Sequence, residues 1–251
     1  MLIGAELGLS LGLFFGLYKT GKLALSRHHS SEKSLPLTSV LSATALFFLC
    51  QFALRFFAPS VNIIKPLLLP GVAAALYLLA RKYPIVGPIN FANLTEGIKW
   101  TCATRWIVMV LGVALSSIVT RFLGAHPAPQ TIVRAIRTAS EGAHVFQYGS
   151  IILSVGFLVP ILEELFFRGF LQSYFRGAFG PNVSILSTSL IFALCHFQSR
   201  GLASNFVTLP IVFVSSLFIG RIYERTRSLA APVGMHIANN LIASALVIFC
   251  R

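Results

Sequence analysis

The run FLVPILEELFFRGF, residues 157–170, decides how this chain is read, because two adjacent acids and a base interrupt an otherwise apolar stretch. An ionisable side chain at membrane depth costs ~2.5–3.5 kcal/mol on insertion scales, so Glu163, Glu164 and Arg168 need partners and a task. On a helix Glu164 and Arg168 stand four apart on one face with the acid N-terminal, which is the favourable ion-pair order. Glu163 is turned ~100° away and lacks that partner. The two acids therefore divide by environment. Glu164 is held ionised by Arg168, while Glu163 lies in a low-dielectric setting where desolvation makes a carboxylate a stronger base, able to take a proton from water. Pro160 removes an intrahelical hydrogen bond and is expected to kink the helix and open space beside Glu163.

Working outward, the chain of 251 residues is 56% hydrophobic and 11% charged, against roughly 25% charged in a soluble globule. Its apolar blocks lie near residues 2–18, 37–58, 61–80, 101–123, 147–176, 182–198, 204–223 and 229–250. Most have the ~20-residue length that crosses a hydrocarbon core. The expectation is an all-α membrane protein, a polytopic bundle of about eight transmembrane helices forming one integrated domain. The first block has no basic n-region and no cleavage site, so it reads as a retained anchor. Pro66 and Pro70 interrupt the third block, and residues 84–100 and 124–146 read as polar, interfacial connections.

Twenty Lys and Arg oppose seven acids. They fall between apolar blocks, as at Arg81 with Lys82 and from Arg221 to Arg227, so membrane topology and anionic lipid account for them better than nucleic acid does. Their bias toward odd-numbered connections favours both termini outside. All seven acids are Glu. The lack of Asp excludes a Ser-His-Asp triad, a paired-aspartate protease and an Asp-rich Ca or Mg loop. Cys50, Cys102, Cys195 and Cys250 show no paired spacing for a disulfide framework or a zinc site. HExxH, a phosphate-cradling Gly loop and a nucleotide fingerprint are all missing from the sequence.

Two further constellations carry chemistry. His196, late in the sixth block, can share a proton with a carboxylate or ligate a metal. Cys195 beside it points ~100° away on a helix, which argues against a Cys-His nucleophile. In the eighth block His236 and Asn240 stand four apart on one face, and both can donate hydrogen bonds to an oxyanion. The bland reading of these groups is interhelical polar glue. His28, His29, His126 and His144 lie in polar connections and read as solvated.

Taken in order, Glu163-Glu164-x-x-x-Arg168, Phe192-x-x-x-His196 and His236-x-x-x-Asn240 resemble the motifs of the CAAX-processing and bacteriocin-processing protease family, also called CPBP or Abi. The resemblance covers about the last 105 residues, so residues 146–251 would be the catalytic helices and 1–145 the N-terminal helices and connections. It implies an eight-helix intramembrane glutamate protease without a catalytic metal or other cofactor. Glu163 would activate water with His196, Glu164 and Arg168 would hold the site, and His236 with Asn240 would stabilise the oxyanion. Two alternatives stand beside it. One is a zinc-dependent protease using Glu163, His196 and His236, and the other is a non-catalytic immunity or scaffold protein. The partners implied are a membrane-associated protein or peptide substrate and the lipid bilayer. The expected setting is a bacterial inner membrane.

Overall fold

A computed structural model of the chain describes residues 35–56, 64–127, 137, 145–198 and 201–249. The block at 2–18 with Glu6, the basic connection 19–33 with His28 and His29, His144 and Cys250 lie outside the described residues. Among the described residues there is no strand and there are seven helices: α1 (Leu37–Phe56), α2 (Ile64–Ala80), α3 (Phe91–Leu123), α4 (145–179), α5 (Pro181–Leu194), α6 (Leu202–Thr226) and α7 (Ala230–Phe249). By length and composition α1, α3, α4, α6 and α7 can cross a membrane, while α2 and α5 are shorter apolar helices. The described residues are thus all-helical, and their long apolar helices make this an integral membrane protein. The expected count of about eight spans corresponds to five long ones among the described residues.

Helix α3 starts earlier than the apolar pattern suggests. The Asn90 side chain accepts the Asn93 backbone N–H at 2.8 Å, capping the helix, and Gly124 in the left-handed region closes it. The polar residues 91–100, expected in an interfacial connection, instead pack on α7. A Cβ added to Gly97 would lie 2.1 Å from the Ala231 carbonyl oxygen and 2.7 Å from the Met235 nitrogen. Close backbone approach between small residues is the usual device where no hydrophobic effect drives helices together. One turn on, Thr101 Oγ1 donates to the Met235 carbonyl at 3.0 Å. Gly97→Ala is expected to wedge α3 from α7 and destabilise the protein by about 1–3 kcal/mol, read as a lowered unfolding temperature in detergent.

The connection between α2 and α3 is clasped to that between α6 and α7. Tyr223 Oη donates to the Ile85 carbonyl at 2.8 Å, Leu229 N–H to the Val86 carbonyl at 2.9 Å, and Ser228 Oγ to the Pro88 carbonyl at 2.6 Å. Buried aromatic rings join α1 to α4, with Phe47 stacked on Phe166 at 4.4 Å and Phe166 edge-on to Phe167. A second cluster gathers Trp100, Ile219, Ile222 and Met235 from α3, α6 and α7.

The Pro160 region widens where a simple kink was expected. Helix α4 runs as α (Val145–Leu153), π (Ser154–Leu158), α (Val159–Glu164), π (Leu165–Gln172) and α (Ser173–Phe179). Such π segments cluster at functional sites because they redirect side chains within a continuous helix. Glu163 and Glu164 end the short α turn between the two wide stretches.

Candidate active site

Glu164 and Arg168 are both fully buried, and they form the ion pair that their spacing suggests, with Arg168 Nε 3.1 Å from Glu164 Oε2. The rest of the guanidinium is placed by two groups on other helices. Arg168 Nη2 donates to Ser216 Oγ of α6 at 3.1 Å, and the cation lies 5.1 Å from the centroid of the Phe192 ring of α5, within cation–π reach. Ser216 had no sequence signal beyond being a polar residue in an apolar span. Phe192 also touches the rings of His196 and His236, at 4.7 and 5.9 Å between centroids.

His236 sits differently from the sequence expectation. Its Nδ1 is 2.7 Å from the free oxygen of Glu164, Oε1, and its Nε2 is 3.7 Å from Glu163 Oε2. An ionised Glu164 only accepts, so Nδ1 carries the hydrogen and Nε2 is the nitrogen presented to Glu163. The 3.7 Å gap is too long for a direct hydrogen bond and suits a bridging oxygen. Glu163 therefore is not partnerless, since His236 spans both glutamates.

His196 is brought to this depth by the shortness of α5. Fourteen residues rise about 21 Å, less than the ~30 Å of a hydrocarbon core. The sequence reading put His196 inside a helix, but α5 ends at Leu194, and Cys195 and His196 form the turn beyond it. Non-helical backbone at membrane depth needs protein partners. Asn205 of α6 supplies them, accepting the Gln198 N–H at 3.0 Å and donating to the Gln198 carbonyl at 2.7 Å. His196 Nδ1 is 2.8 Å from the Phe192 carbonyl. A carbonyl only accepts, so Nδ1–H donates and Nε2 is left with its lone pair in the neutral ring.

Asn240 is one turn beyond His236 on α7, but its amide Nδ2 donates to the Val155 carbonyl of α4 at 2.9 Å. The amide carries a second hydrogen that this bond does not use. Among the described residues no group of three His, Cys or Glu side chains is arranged to hold a metal ion.

A separate buried network went unread in the sequence. Gln172 Nε2 donates to the Gly220 carbonyl and to Glu224 Oε1, at 3.0 and 3.2 Å, and Arg176 Nε lies 2.7 Å from Glu224 Oε2. It joins α4 to α6 beyond the glutamate pair. Its members lie 48 and 52 residues apart in the chain, which no local spacing reveals.

Residues 146–242 match the family model described as type II CAAX prenyl endopeptidase Rce1-like. Neither the curated proteins nor the solved structures contain a match to the chain.

Proposed function

We propose that this chain, whose residues 146–242 belong to the type II CAAX prenyl endopeptidase Rce1-like family within the CPBP or Abi group, is an intramembrane glutamate endopeptidase. It hydrolyses a peptide bond of a membrane-associated protein or peptide with water activated by Glu163, without a metal. The observation that carries this reading is the 3.7 Å separation of Glu163 Oε2 and His236 Nε2, with the other nitrogen of His236 held by Glu164. A water between them meets a base on one side and an oriented ring on the other.

Glu163 takes a proton from that water as its oxygen bonds to the scissile carbonyl carbon. The carbonyl oxygen becomes negative and is received by His236 Nε2–H, with the second amide hydrogen of Asn240 as a further donor. To donate from Nε2 while Glu164 holds Nδ1–H, the His236 ring must carry both protons, and its charge then faces the Glu164 carboxylate. As the tetrahedral species collapses and the C–N bond breaks, the proton on Glu163 passes through His196 Nε2 to the leaving amine. Arg168 keeps Glu164 ionised and in place. The membrane assigned to it is a bacterial inner membrane, with the clasped face that bears Arg81, Lys82, Arg221, Arg225 and Arg227 inside.

The test uses the purified protein in lipid vesicles with a membrane-anchored reporter peptide. His196→Ala is expected to lower the cleavage rate by about 10²–10⁴, and a strong chelator to leave the wild-type rate unchanged. A rate lost on chelation and restored by zinc would replace the glutamate mechanism with a metal one. A rate unmoved by His196→Ala would remove His196 from the reaction.

A further inference from the structure

We infer that Asn240 is a positioning residue whose side-chain amide takes the place of the backbone N–H that Pro160 lacks, and so holds the wide turn that aims Glu163. The oxyanion role above is a second use of the same amide. The inference rests on the proposed function only for its activity readout.

The first π segment of α4 closes on a bond that reaches back five residues. The Val159 N–H donates to the Ser154 carbonyl. The next bond in that series would run from residue 160 to the Val155 carbonyl, but residue 160 is proline and has no N–H. The α-helical alternative, an N–H from residue 159 to carbonyl 155, is already committed to Ser154. Val155 is thus the carbonyl that this helix cannot satisfy, in a span where a freed backbone group needs a partner from outside the helix. It is also the carbonyl that Asn240 Nδ2 reaches at 2.9 Å.

The neighbouring residues fit this splice. Gly156 is buried against α7, and a Cβ there would lie 3.0 Å from Leu241 Cδ2. The absence of a side chain at 156 lets α7 approach near enough for a short amide to span the gap. Helix α7 is then tied to α4 twice along one face, by Asn240 to Val155 before the glutamates and by His236 to Glu164. Glu163 lies between the two ties. Its direction relative to His236 Nε2 follows from both, so releasing the first lets residues 154–158 rewind and turns the carboxylate away.

A double-mutant cycle tests this with wild type, Asn240→Ala, Pro160→Ala and the double variant, each read by unfolding temperature in detergent and by cleavage of the reporter peptide. Alanine at 160 restores a backbone N–H, so Val155 no longer needs Asn240. Asn240→Ala is expected to lower the unfolding temperature and to cut the rate on the order of 100-fold. In the Pro160→Ala background the same change should leave the unfolding temperature nearly unmoved and cost distinctly less rate than in wild type, because only the oxyanion contact is then lost. Equal losses from Asn240→Ala in both backgrounds would overturn the inference and leave Asn240 as an oxyanion donor only. Should Pro160→Ala fail to fold, Pro160→Leu supplies the same N–H. The unfolding-temperature cycle decides the splice even if Glu163→Gln were to retain full activity and sink the proposed reaction.

Discussion

Glu163→Gln is expected to lose about 10²–10⁴ of the peptide cleavage rate, with its unfolding temperature close to that of wild type. The amide copies the carboxylate in shape and still fills the turn between the two π segments, but it cannot take a proton from water. The side chain is 12% exposed and lies 3.7 Å from His236, so no tight ion pair is broken by the change. Glu164→Gln differs in kind. Glu164 is fully buried and compensates Arg168, and its loss should lower stability together with activity. Measuring both quantities for both variants separates a base from a structural anion. Full activity in Glu163→Gln, or loss of activity on removing Glu6 but not Glu163, would show that the reacting carboxylate is elsewhere.

Arg168→Leu is expected to destabilise the protein by about 3–5 kcal/mol, because removing one partner leaves the other charge buried and uncompensated. Three contacts go together: the Glu164 ion pair, the Ser216 hydrogen bond and the cation over Phe192. Arg168→Lys keeps the charge but loses the planar fork, so it should restore part of the stability and little of the geometry. Thermal unfolding of the detergent-solubilised variants measures this. A Leu variant as stable as wild type would mean that Glu164 is neutral in the folded protein.

The central pair was legible because four-residue spacing on a helix is a local rule. Glu164 with Arg168, and Glu163 turned from it, follow from periodicity alone. The three polar constellations had to converge, since polar groups on separate spans each need partners. The way they converge was not legible. His236 reaches both glutamates, while Asn240 turns to a backbone carbonyl, because α4 unwinds into π turns that no hydrophobic pattern encodes. Pro160 announced a disturbance, and only the orphaned carbonyl of Val155 shows its form. The depth of His196 follows from the termination of α5 after fourteen residues, where the apolar run itself continued. Ser216 and the Gln172, Glu224, Arg176 network depend on contacts between helices far apart in the chain, and single-helix spacing is blind to them.

The pairing of α3 with α7 also sets a clock. Thr101 and Met235 are 134 residues apart, and a ribosome adding about 5–20 residues per second needs roughly 7–27 s to make the second after the first. During that interval α3 waits in the bilayer with its glycine face open to lipid, and Glu164 enters before the imidazole that will sit on it. On the proposed function, the growing chain is therefore harmless to itself and to its neighbours in the membrane. Hydrolytic competence arrives in one step, at the moment the helix bearing His236 docks.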